Sequence, residues 1–289
     1  MKKQYINGVI SMLLSALVFS VMSGLVRYAS NIDAYKTTFF RFAIGLALLG
    51  TAAILGKIKL DFFNNRMLFS RGLFGGIATF IYYLSISKIG VAKGTIISYS
   101  SPIFVAIISM FVLKEKISPV KWLLILLAFI GLFLVSLNKG ELTIALGFYE
   151  LLAIFGAVCA GFALVSVKKL QESDSSYSIF FSQCAIGFWM VVIPANLIPS
   201  SIGISGGIVL LLIGITAAVG QLLMTHSYRY LPVTTGSLLS MLTPIFNIFI
   251  GVLLFKEGLT KTGVLGILLV LVSCLTMIAL KDEKKGVTE

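Results

Sequence analysis

Residues 100–118 read SSPIFVAIISMFVLKEKIS, and residues 242–260 read LTPIFNIFIGVLLFKEGLT. The two stretches align without a gap at a shift of 142 positions, and the likeness reaches back to residue 90. Nine of the 29 pairs are identical: Val91/Val233, Gly94/Gly236, Ser98/Ser240, Pro102/Pro244, Ile103/Ile245, Phe104/Phe246, Ile108/Ile250, Lys114/Lys256 and Glu115/Glu257. Thr95/Ser237 and Ser101/Thr243 are conservative. A fainter echo lies upstream, where Phe39-Phe40 to Ala43-Ile44-Gly45 resembles Phe180-Phe181 to Ala185-Ile186-Gly187. Apolar composition alone produces such an echo. It does not easily produce a shared S-x-x-x-P-I-F with Lys-Glu ten residues beyond the Phe, so the chain is read as a duplication.

What is duplicated follows from hydropathy. The 289 residues are 58% hydrophobic with a mean hydropathy of +1.04. Only 12% are charged, against roughly 25% in a typical soluble domain. Apolar runs of about 20 residues recur, the length that crosses a hydrocarbon core of roughly 30 Å. Ten spans are predicted, near 7–28, 34–56, 68–88, 94–113, 119–137, 147–168, 178–198, 206–228, 233–254 and 261–280. Breakers separate them: Gly56, Asn64-Asn65, Asn138 with Gly140, Pro199-Ser200 and Pro232. Ser118-Pro119 reads as N-cap and first residue of the fifth span. Lys2 and Lys3 before an apolar stretch imitate a signal peptide, but the stretch runs to about Leu25 and no A-x-A site follows. It is read as a retained first span. The loops are short, and 281–289 is read as a solvated tail.

Each repeat holds five spans, in 1–140 and 141–289. Five is odd, so the halves enter the membrane in opposite senses and form inverted repeats. Two nearly equivalent packings then exist, one open to each side, which is the physical basis of alternating access. The net charge of +12 is topological rather than a nucleic-acid signal, because no basic domain stands outside the apolar runs. With the N-terminus inside, the inner set is Lys2, Lys3, Lys57, Lys59, Arg66, Arg71, Lys114, Lys116, Lys121, Lys168, Lys169, Arg229, Lys281, Lys284 and Lys285. The outer set is Arg27, Lys36, Lys88, Lys93, Lys139, Lys256 and Lys261. Fifteen against seven predicts that both termini are cytoplasmic.

Ten spans, the five-plus-five duplication and the two quoted segments closely resemble the EamA-type branch of the drug/metabolite transporter superfamily. In that family the fourth and ninth spans carry a Pro and end near a Glu, here Pro102 with Glu115 and Pro244 with Glu257. The resemblance covers essentially the whole chain. It implies a central cavity lined largely by spans 1, 3, 4, 6, 8 and 9, and a small organic solute as cargo.

Ionisable groups inside spans are costly and default to functional hypotheses. Arg41, about seven residues into span 2, is read either as a counter-charge for a substrate carboxylate or phosphate, or as a snorkelling or structural group. Glu150, at the start of span 6, suits an interfacial carboxylate at a helix N-terminus, with a proton-coupling role left open. His226, the one histidine, is a residue type that serves in proton relays, but Tyr228, Arg229 and Tyr230 beside it suit an interfacial belt. The Lys114-Glu115 and Lys256-Glu257 pairs read as solvated helix ends, with a gate as the alternative. Pro102 and Pro244 predict kinks near mid-membrane. Ser98, Ser101, Ser240, Thr243 and Asn247 around them share a face, and either satisfy the kink or line a polar cavity. Tyr82, Tyr83 and Tyr99 each need a hydroxyl partner. Where the halves differ in polarity at equivalent positions, substrate recognition is expected: Tyr99/Met241, Val105/Asn247 and Thr79/Gln221. The substrate-site set is thus Tyr82, Ser98, Tyr99, Ser101, Gln221, Ser240, Thr243, Asn247 and Arg41. Cys159, Cys184 and Cys274 lie in apolar runs without metal-ligand spacing and read as packing residues.

The sequence therefore predicts an all-α membrane protein, a secondary transporter of a small organic metabolite, an amino acid or related solute, in the inner membrane. No cofactor is expected, and no Walker A motif is present. The partners expected are the metabolite and the lipid bilayer, with proton coupling and a homodimer left open. A membrane-embedded enzyme would need clustered His, Asp or Glu, or a nucleophile with its base. That pattern is missing from the spans, and the inverted duplication speaks against a passive channel.

Overall fold

The computed structural model describes residues 2–29, 31–62, 65–137, 147–197, 202–256 and 258–280. Every regular element among them is an α-helix: α1 Lys2–Tyr28, α2 Ala34–Ile54, α3 Arg66–Ile89, α4 Val91–Ser98, α5 Ser101–Val112, α6 Pro119–Leu137, α7 Phe148–Leu170, α8 Ser176–Leu197, α9 Ile204–Ser227, α10 Val233–Ser240, α11 Leu242–Phe255 and α12 Lys261–Ala279. Asn64, Asn138 with Gly140, the 138–146 connection, Pro199-Ser200, Glu257 and the 281–289 tail lie outside the described residues.

The helix starts follow from local chemistry. The side chains of Asp33, Asn65 and Thr260 accept from the backbone N–H of Tyr35, Met67 and Gly263. Ser118 accepts from the Lys121 N–H at 3.4 Å while Pro119 opens α6, as read from the sequence. Large apolar side chains such as Phe111, Trp189, Leu253 and Leu254 are exposed around the bundle, the surface that lipid covers.

Among the described residues, ten helical segments are long and apolar enough to span, with α4–α5 and α10–α11 each forming one span. The sequence predicted kinks in these two spans. The regular hydrogen-bond ladder breaks at Tyr99-Ser100 and at Met241 while the backbone stays near right-handed helical angles through both points, so each span remains one helix, kinked as expected. The cause is steric: a proline ring clashes with the carbonyl four residues earlier, which is Ser98 for Pro102 and Ser240 for Pro244, and those are the last residues of α4 and α10. Each proline then sits in the first turn of the following helix, where its missing N–H costs nothing. Ser100 Oγ donates to the Ile97 carbonyl and Ser240 Oγ to the Ser237 carbonyl, both at 2.6 Å, which satisfies acceptors near the breaks.

The most extensive helix contacts run between the halves, and each has its mirror. α6 packs on α12 and α2 on α8, pairs that a two-fold axis maps onto themselves. α1 on α9 mirrors α3 on α7, α2 on α9 mirrors α3 on α8, and α1 on α11 mirrors α5 on α7. The 142-residue shift holds at side-chain level. A Cβ at Gly72 would meet Ile186 Cδ1 of α8 at 2.6 Å, and one at Gly214, its equivalent, would meet Ile44 Cβ of α2 at 2.6 Å. Ile44 and Ile186 are themselves equivalent. Lys114 and Lys256 both take the left-handed conformation with φ of 54°, so the two Lys-Glu motifs end their helices with the same sharp turn.

Candidate functional site

The breaks bring polar groups into the bundle interior. Tyr99 sits at the first break, and its hydroxyl lies near Thr243, buried in the first turn of α11 in the opposite half. Tyr82 on α3 similarly lies near Thr95 on α4. The rings of Tyr82 and Tyr83 meet edge to face at 5.6 Å. Tyr83 Oη accepts from Arg41 Nη1 at 3.4 Å, and the Arg41 guanidinium stands 5.9 Å from the Phe19 ring centroid. Arg41 is 8% exposed and its Nε has no partner. A shallow recess is lined by Ala34, Tyr35, Thr38, Phe80, Leu84 and Tyr83, the residue that accepts from Arg41.

The remaining expected residues divide. Gln221 is 3% exposed and its Nε2 is unpartnered, and Asn247 Oδ1 is also unpartnered. Both are spare hydrogen-bonding groups away from lipid. Ser98 and Ser101 flank the first break, half-buried. The Ser240 hydroxyl bonds its own helix, the kink-satisfying reading of the sequence. Among these groups the contacts link Arg41 to Tyr83 and Tyr83 to Tyr82, with Tyr99 near Thr243 across the halves.

The structure corrects one placement: Arg71, counted in the inner basic set, lies one turn and a half into α3 and is 2% exposed. Its Nη2 donates to Gln183 Oε1 at 2.8 Å. Gln183 Nε2 donates in turn to Thr79 Oγ1 at 3.1 Å and to the Gly75 carbonyl at 3.3 Å. Arg71 Nη1 lies over Gly75, in the space a Cβ would occupy. The signal was present in the sequence: position 71 falls inside the predicted span 68–88. Moving it leaves fourteen basic residues against seven on the two sides. Arg41 and Gln183 show that spans 2 and 7 join the spans expected at the centre.

Carboxylates also tie the halves together at the two faces, where Asn65 donates to Asp174 at 2.9 Å and Glu115 and Glu150 reach across. On the face that carries the start of α1 and the end of α12, the Glu115 carboxylate accepts from the Val233 N–H at 3.1 Å and the Thr234 hydroxyl at 2.7 Å. It caps the N-terminus of α10 rather than standing solvated as expected. On the opposite face Glu150 accepts from the Gly147 N–H at 3.0 Å and pairs with Lys93 of α4. His226 is exposed, edge-on to Tyr230 at 5.2 Å, as an interfacial residue would be. Among the described residues no group of three His, Cys, Asp or Glu is gathered as a metal site would need.

The model of the EamA-like transporter family matches residues 6–137 and again 147–279, one match per half. The chain belongs to that family. It is a multi-pass membrane transporter, and the EamA-like family is not an enzyme family. This EamA-like chain is 29% identical over 286 residues to the pseudopaline exporter CntI of Pseudomonas aeruginosa (strain UCBPP-PA14), covering 97% of this chain and 98% of that protein. It is 26% identical over 305 residues to an S-adenosylmethionine uptake transporter of Rickettsia prowazekii (strain Madrid E), covering 99% and 96%. A solved crystal structure shares the fold, with a TM-score of 0.77 at 14% identity over 96% of this chain and 98% of the other.

Proposed function

We propose that this EamA-like protein is a secondary transporter that carries a small organic metabolite, an amino acid or related solute, across the inner membrane by alternating access, with both termini cytoplasmic. The observation that carries the reading is the pair of proline-kinked spans, related by the inverted repeat, whose interrupted turns approach each other at Tyr99 and Thr243. Helices interrupted inside a membrane expose backbone and hydroxyl groups only where protein or a polar cavity receives them, and inverted repeats put such a site near the midplane. Tyr82, Ser98, Tyr99, Ser101, Gln221, Ser240, Thr243, Asn247 and Arg41 form the proposed substrate site. The relatives named above handle small organic metabolites, one as an exporter and one in uptake. Purified protein in liposomes should catalyse saturable counterflow of its substrate against a gradient of unlabelled substrate. Flux that never saturates would mean a channel, and a chemically altered product would mean an enzyme.

A further inference from the structure

We propose that Arg41 and Arg71 together clamp an anionic group of the transported substrate, a carboxylate or a phosphate. The inference rests on the transporter reading and adds the charge class of the cargo. Both arginines lie inside spans and are at least nine-tenths buried. Among the described residues neither guanidinium has a carboxylate within salt-bridge distance. The electrostatic neighbours of Arg71 are Cys184, Tyr228 and Arg41, none of them negative at neutral pH. Three of their nitrogens, Arg41 Nε and Arg71 Nε and Nη1, are buried without partners. A charge held this way in a membrane is expensive, and a second like charge nearby raises the cost. An anion relieves both at once, and the planar fork of a guanidinium matches the geometry of a carboxylate or phosphate.

Placement fits a carrier. α2 and α3 run in opposite directions, so Arg41 descends about 10 Å from one face and Arg71 about 8 Å from the other. The two groups bracket the middle of the membrane, where access alternates. The repeat excludes a shared scaffold role. The 142-residue shift sets Gln183 against Arg41 and Ile213 against Arg71, so both cations belong to one half. The other half supplies the neutral Gln183 that orients Arg71 through one of its nitrogens. A tie between α3 and α8 needs only an amide for that bond, which leaves the charge without a structural purpose.

The test uses purified full-length protein and a panel of probes at matched ionic strength: dicarboxylates, sugar phosphates, inorganic phosphate, monoamines and diamines. Ligands of the native state raise its melting temperature. The expected hits are anions, and the dicarboxylate and phosphate arms show which group is taken. Arg41→Gln and Arg71→Gln should each weaken the best hit at least tenfold, with Arg71→Lys intermediate. Without ligand, Arg71→Gln should melt no lower than the wild type, because an unpaired charge has been removed. The proposal is overturned if only amines stabilise the protein, if nothing in the panel does, or if affinity survives both glutamine variants. It is equally overturned if Arg71→Gln melts well below the wild type or fails to accumulate, since the arginine is then structural. Counterflow is scored separately: anion binding without counterflow retains the clamp and removes the carrier reading.

Discussion

At the scale of single residues, the repeat separates scaffold from recognition. Pro102/Pro244 and Gly94/Gly236 are kept in both halves, and the prolines build the same break twice. A substrate is rarely two-fold symmetric, so residues that contact it should sit where the halves differ. Tyr99 faces Thr243 across the interface, and the Gln221 and Asn247 amides carry unpartnered atoms. Tyr99→Met, Gln221→Thr and Asn247→Val each copy the opposite half. Each should weaken apparent affinity by roughly five- to a hundred-fold, from about 1–3 kcal/mol of lost polar contact. If these side chains only bridge helices, the cost is about 0.6 kcal/mol each, and unchanged affinity in all three, normalised to protein level, removes them from the site. Arg41 was legible in the sequence because it stands alone in an apolar run. Arg71 was legible only from its place inside the predicted span 68–88, and Arg66 five residues before it masked that signal. Only the fold showed its guanidinium turned inward over Gly75.

At the scale of elements, the ten spans and their inverted order were legible because hydropathy and the 142-residue repeat are properties of the chain alone. The kinks in spans 4 and 9 were legible because proline announces a disturbance. Which polar groups satisfy the freed carbonyls depends on neighbours, which sequence does not state. The role of Glu115 was hidden because its partners lie 118 and 119 residues away. The left-handed turn at Lys114 lets the Glu115 N–H reach the Ser109 carbonyl at 3.2 Å, and that turn aims the carboxylate at α10. Losing a cap of this kind costs about 0.5–2 kcal/mol. Glu115→Ala should therefore loosen the closure on that face. A cysteine introduced at Thr235, buried in α10, should then react several-fold faster with an impermeant maleimide added from the face carrying the termini. Equal labelling rates with and without Glu115 would show that the tie does not hold this side closed.

At the scale of the whole molecule, fourteen basic residues against seven carry the proposal that both termini are cytoplasmic. A fluorescent protein fused after Glu289 should fold and fluoresce, while an enzyme reporter active only outside the membrane should stay silent. The opposite pair of results would reverse the orientation and exchange the faces assigned to Glu115 and Glu150. The interior was the least legible level. Composition shows that polar groups are few, but which of them meet depends on pairings between halves that no local pattern encodes.

Those pairings also constrain how the protein is made. α1 finds its main neighbour in α9, α3 in α7 and α8, and α6 in α12. A ribosome that has delivered only the first five spans has therefore delivered helices whose principal partners do not yet exist. During that interval Arg71 lacks Gln183 and Glu115 lacks the α10 N-terminus. The nascent half must wait in the bilayer or beside the insertion machinery, and assembly finishes only when the last helix arrives. A chain stopped after Leu137 should be cleared by membrane proteases, and supplying residues 141–289 as a separate chain should protect it. Persistence of the first half alone, at full-length levels, would mean that its own contacts suffice.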